Sequence, residues 1–146
     1  MSQACVFCAP PEPAALLWQD ARCRVLLAGE PDYPGFCRVA WHAHVPEFTD
    51  LLPADRAHLL AVVSGVEHAL RVLLAPDKVN LASFGNQVPH LHWHVIPRFT
   101  DDAHFPDPTW APRRRPGRPR AVEPAVLRHR LAATLPSTRA GAGRRS

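Results

Sequence analysis

The sequence predicts an α+β fold, an antiparallel sheet with one long helix packed on one of its faces. Three observations carry that prediction. Short apolar runs of strand length, separated by turn residues, fill the first 41 positions. One long stretch of helical spacing follows. Two further strand-like runs come next, joined by a tight polar link. Strands, then a helix, then neighbouring strands suit a helix laid over an antiparallel sheet rather than alternating parallel units. At 146 residues, with 47% apolar and 21% charged residues, the chain is long enough for one domain with a real core.

In order along the chain, Pro10-Pro-Glu-Pro13 is a loop. Ala15–Trp18 and Arg22–Ala28 read as the first two strands, with Gln19-Asp20 near the turn between them. Glu30–Gly35 is a second loop, rich in Pro and Gly. Phe36–Trp41 is the third strand. Asp50 is a polar cap candidate and Pro53 falls in a first helical turn. Leu59, Leu60, Val62, Val63, Val66, Leu70, Leu73 and Leu74 then recur at helical spacing. Pro76-Asp77 ends that helix. Lys78–Phe84 is the fourth strand, Gly85–Pro89 a loop and Leu91–Ile96 the fifth strand. A short C-terminal helix is expected from Pro124 to Leu135.

The net charge of +4 conceals two regions. Residues 111–146 hold ten of the sixteen arginines and one acid, Glu123, for a balance of +9. Residues 1–110 hold seven cations against twelve acids, for −5. The expectation is a domain over 1–110 and a basic, Arg/Pro-rich extension over 111–146, partly disordered or forming the short helix. The extension lacks aromatic residues that would stack on bases, so nucleic acid is not the expected partner. No apolar run approaches the roughly 20 residues that cross a bilayer, and no membrane association is expected. The N-terminus shows no secretory signal. A cytoplasmic location follows as the expectation, with cysteines reduced. Cys23 and Cys37 lie in strand patterns and read as small core residues. Cys5-Val-Phe-Cys8 has the spacing of half a zinc site.

The most specific feature is Val88-Pro-His-Leu-His-Trp-His-Val-Ile-Pro97. Successive side chains of a strand point to opposite faces, so His90, His92 and His94 share one face and Leu91, Trp93 and Val95 the other. The apolar face should meet the helix and leave the histidine face open to solvent. Such a row could bind a transition metal, could be hydrogen-bonded structure, or could attack phosphorus. The last needs a neutral imidazole whose second nitrogen donates to a fixed acceptor. Asn80, Ser83, Gly85, Asn86 and Gln87 lie within ten positions of His90. Neutral amides and a close backbone approach suit phosphate oxygens better than a metal shell.

His90-Leu-His-Trp-His-Val-Ile96 resembles the histidine triad (HIT) signature, in which three histidines alternate with apolar residues. The likeness extends upstream through Asn80–His90, takes in Pro34–His44 and the helix after it, and covers roughly residues 5–100. It implies a HIT-like five-stranded sheet, with residues 1–110 as the HIT domain. It implies a hydrolase or transferase acting on nucleoside phosphoramidates or dinucleoside polyphosphates, with a purine nucleotide as substrate and no cofactor needed for catalysis. His92 is then the nucleophile, forming a nucleotidyl-histidine. His94 contacts the phosphate, and His90 orients the site and offers its carbonyl to His92. Asn80, Gly85, Asn86 and Gln87 are the expected substrate contacts, with Glu30 and Asp32 for the ribose hydroxyls. Arg98 is a candidate cation for a polyphosphate.

The resemblance also implies a structural zinc held by Cys5, Cys8, His44 and His90, and a homodimer. One departure stands out: Phe36 occupies the place of a fourth histidine found in many relatives, and His42 is too far along the strand to replace it. The alternative from another class is a nucleotide-binding regulatory module with weak or no turnover. A second alternative is a zinc hydrolase using the row as ligands.

Overall fold

The computed structural model describes residues 4–136. Five strands run as β1 (Leu16–Gln19), β2 (Cys23–Leu27), β3 (Cys37–Trp41), β4 (Lys78–Ala82) and β5 (His92–Arg98). The long helix α1 (Pro53–Leu74) separates β3 from β4, and α2 (Pro124–Thr134) follows β5. All pairings are antiparallel, in the order β1-β2-β3-β5-β4. The α+β architecture is therefore the expected one, and β5 lies inside the sheet.

Each strand has two faces. Val25, Val39 and Val95 point to one of them and are fully buried, with Cys23, Cys37 and Trp41 beside them. Leu59, Val62, Val66 and Leu70 of α1 close over that layer, and Leu127 and Leu131 of α2 complete the core. Leu91 and Val95 join it, and Trp93 packs against its edge. The described part of the basic C-terminal segment is thus fastened to the body by Leu127, Leu131 and Leu135. Arg128 adds hydrogen bonds to the carbonyls of Leu16 and Ala14 at 3.0 and 2.9 Å.

Some details depart from the sequence reading. Asp50 does not cap α1; its carboxylate accepts the Glu47 N–H at 2.9 Å and closes a short 3-10 turn, Phe48–Asp50. Leu52 caps α1 without a side-chain bond, ahead of Pro53 in the first turn. By length and composition α1 does suffice to cross a membrane. Its apolar stripe is used against the sheet, however, as expected of a core helix. The fifth strand runs on through Pro97 to Arg98, because Val79 and Lys78 of β4 pair with those positions. Proline is tolerated there because β3 has already ended opposite Val95, leaving β5 one neighbour. Ala75 ends α1 with φ 45°, in the left-handed region.

Candidate functional site

The face of the sheet away from the helices carries Arg24, Arg38, Ala40, Asn80, Ala82, His92 and His94. Register fixes their neighbours: Ala40 stands opposite His92, and His94 lies between Arg38 and Ala82. Small residues beside the histidines leave room above them.

His92 is held through its backbone neighbour. Its Nδ1–H donates to the His90 carbonyl at 2.6 Å, which leaves the lone pair on Nε2 facing away from the strand. Ser83 supports the strand by donating its hydroxyl to the His92 carbonyl at 2.9 Å. Burial holds the His92 imidazole below the usual histidine range, with the nearby Arg38 cation acting in the same direction. Burial, then His92 and Arg38, push His94 down to about 4. Both rings are therefore neutral near pH 7.

The histidine face is not open to solvent as expected. His92 is 7% exposed. The Phe7 ring lies 4.5 Å from it, centroid to centroid, while Phe36 and Phe84 flank His94 at 5.4 and 5.6 Å. Phe7 is positioned by Arg24, whose Nη2 donates to the carbonyls of Phe7 and Ala9 at 2.5 and 3.1 Å. Strand parity alone does not reveal a roof supplied by a distant N-terminal loop.

Two cavities meet at His94. The larger, about 640 Å³, is lined by His92, His94, Arg38, Gly85, Asn86 and Gln87 under Val6, Phe7 and Trp110. Gly85 turns the loop at φ 79°. The smaller, about 280 Å³, is lined by Glu30, Asp32, Tyr33, Phe36, His94, His104 and Trp110 among others. Glu30 and Asp32 are both engaged there, by Arg38 at 3.9 Å and by Arg113. Asn80 shares the sheet face but lines a neighbouring cavity, and its Oδ1 accepts from Arg98 at 2.9 Å.

Arg98 is not a free cation for a polyphosphate. It is 2% exposed and forks onto Asp102 at 2.7 and 3.1 Å, with a further bond to the Asp107 carbonyl at 2.8 Å. The cation that the cavities do present is Arg38, which the sequence reading did not single out. Its signal was a lone arginine inside an otherwise apolar strand. His104, unassigned from sequence, is buried beside Tyr33.

His90 serves the site with its carbonyl, while its ring points elsewhere. Nε2–H donates to the Trp41 carbonyl at 2.6 Å, so Nδ1 carries the lone pair. That nitrogen lies 3.4 Å from Cys5 Sγ, 3.6 Å from Cys8 Sγ and 3.2 Å from His44 Nδ1; Cys8 Sγ lies 3.3 Å from His44 Nδ1. Tetrahedral zinc, with bonds of about 2.3 Å to sulfur and 2.0–2.1 Å to nitrogen, separates its ligands by roughly 3.3–3.8 Å. The four donors are already close to that tetrahedron, and all four ligand atoms lie within 4.8 Å of one another. The Trp41 carbonyl supplies the outer hydrogen bond that metal-binding histidines commonly make.

The other clustered trio, Asp20, Cys23 and His58, is less suited. Asp20 is occupied by two backbone N–H groups and by His58, and burial pushes the Cys23 thiol up to about 12. Burial does the same to Cys37, as befits core residues. His90, His92 and His94 do not form a metal-ligand group among the described residues.

An antiparallel sheet carrying this histidine row defines a histidine triad protein: the chain belongs to the HIT domain family, whose model matches residues 10–101. Among solved structures it is similar to a histidine triad protein from Bradyrhizobium japonicum, at 29% identity and a TM-score of 0.68, covering 80% of this chain and 89% of that one. A histidine triad protein from Marinobacter aquaeolei VT8 matches at 28% identity and a TM-score of 0.66, over 84% and 90%. A zinc-bound histidine triad family protein from Mycobacterium smegmatis matches at 28% and 0.62, over 89% and 94%. No curated protein sequence matches the chain.

Proposed function

We propose that this protein hydrolyses, or transfers from, a purine nucleoside phosphoramidate or dinucleoside polyphosphate by way of a nucleotidyl-histidine on His92. The observation that supports it best is the 2.6 Å bond from His92 Nδ1 to the His90 carbonyl. It fixes the tautomer and leaves Nε2 as the free nucleophile. In the first step, Nε2 forms a bond to the α-phosphorus and the phosphorus–nitrogen or phosphorus–oxygen bond to the leaving group breaks. In the second, water attacks phosphorus, the histidine–phosphorus bond breaks and the nucleotide monophosphate departs. His94, as a neutral imidazole, hydrogen-bonds to the phosphate oxygens, and the Arg38 cation offsets their charge. Gly85, Asn86 and Gln87 border the leaving-group side, and Glu30 and Asp32 the ribose side. Asn80 acts from the neighbouring cavity.

In this reading catalysis requires no cofactor, and the protein works as a cytoplasmic homodimer. Cys5, Cys8, His44 and His90 would hold a structural zinc, which when bound would tie the N-terminal loop to the sheet. That reading is supported by the donor separations and by the zinc-bound relative.

His92→Ala is expected to lower the hydrolysis of adenosine 5′-phosphoramidate by at least about 10³-fold, with an unchanged circular dichroism spectrum. Wild-type turnover in that variant overturns the mechanism. One observation favours a binding module instead: Phe36 lies 5.4 Å from His94 and cannot hydrogen-bond where relatives place a histidine. AMP binding without hydrolysis by the wild-type protein would select that reading.

A further inference from the structure

We infer that His104 is a specificity residue that donates a hydrogen bond from Nε2 to the nucleobase in the smaller cavity; the inference rests on the nucleotide reading above. His104 lies beyond residue 101, where the match to the family domain ends. It is 6% exposed and lines the cavity that His94 shares with the catalytic chamber. A ligand whose phosphorus meets His92 can therefore extend toward it.

The tautomer follows from its partner. His104 Nδ1 is bonded to the Tyr33 hydroxyl, and that hydroxyl has no other hydrogen-bond partner among the described residues. We assign the hydroxyl proton to this bond, with Nδ1 accepting it, which places the ring proton of the neutral imidazole on Nε2. Nε2 has no partner among the described residues and is not sealed off from solvent. A nearly buried ring whose donor is left to solvent beside a cavity is suited to recognition, because a ligand that displaces the solvent without supplying an acceptor would leave that donor unsatisfied.

The surroundings select the kind of acceptor. Glu30 and Asp32, the two carboxylates of this cavity, already face Arg38 and Arg113. Phe36, Phe84 and Ile96 give it apolar walls suited to a flat ring. A purine offers ring nitrogens or a carbonyl to such a donor, whereas an aliphatic group offers nothing. Asp102 fixes the height of His104 by accepting its backbone N–H at 3.0 Å and that of Phe105 at 2.7 Å.

The test measures calorimetric binding of AMP and of ribose 5-phosphate to the wild type, His104→Leu and His104→Gln. His104→Leu is expected to weaken AMP about tenfold or more and to leave ribose 5-phosphate within twofold. His104→Gln, which keeps a donor, is expected to recover most of the loss and guards against a folding defect in the leucine variant. An AMP affinity within twofold of wild type in His104→Leu overturns the inference, as does an equal loss for ribose 5-phosphate. A wild-type protein that binds neither compound overturns the nucleotide reading, and this inference with it.

Discussion

Asp102 is the residue whose loss the structure prices most directly. Its two oxygens accept five N–H donors: Arg98 Nε and Nη2 at 2.7 and 3.1 Å, and the backbone of Phe99, His104 and Phe105 at 3.2, 3.0 and 2.7 Å. It is 4% exposed. Burial works against the carboxylate, but the Arg98 guanidinium and the three backbone donors outweigh it and hold Asp102 down to about 2, against an ordinary 3.8. At about 1.4 kcal/mol per pH unit, that depression is worth about 2.5 kcal/mol.

Asp102→Asn removes this charge and points an amide group at donors. It also leaves Arg98 buried without its partner, and breaking a buried pair costs about 3–5 kcal/mol. Urea unfolding at pH 7 should therefore show a loss of about 3–5 kcal/mol. The acid dependence has a definite sign. A carboxyl depressed in the folded state stabilises above its ordinary pKa, and that contribution fades as pH falls toward the folded value. The gap between wild type and variant should narrow by about 1 kcal/mol between pH 5 and pH 3. A loss under 1 kcal/mol at pH 7, or a gap that stays constant on acidification, refutes this account of the loop.

Two further outcomes are expected. Protein expressed with ample zinc should carry about one metal per chain by elemental analysis, and Cys8→Ser should carry less than about 0.2; a wild-type chain below 0.2 removes the zinc proposal. Ala75→Gly should stabilise by about 0.5–1 kcal/mol in urea unfolding, because glycine enters the left-handed helix end that alanine now occupies under strain; an unchanged midpoint counts against it.

The element order was legible because period and punctuation agree at each boundary. Pro76-Asp77 stops α1 where the helical spacing ends, and the five strands lie within a few residues of their apolar runs. The histidine row was legible because strand parity is a local property. The Cys5, Cys8, His44 and His90 quartet was not legible from spacing alone; family resemblance assembled it, and the fold brings its ligand atoms together. What sequence could not supply was partnership across long separations. Arg98 looked available until Asp102, Asn80 and the Asp107 carbonyl took its donors. The basic segment looked solvated as a string of charges, yet Arg113, Arg114 and Arg120 find Asp32, Asp107 and Asp101. Phe7, 85 positions before His92, had no local sign of being its neighbour.

Phe7 lies between Cys5 and Cys8 in the chain, and its ring rests on His92. Whatever grips those two sulfurs also sets how snugly the His92 ring is covered. A slack loop would open the His92 ring to water and loosen the wall of the cavity above it. Val6 and Phe7 line the histidine cavity as much as the triad strand does.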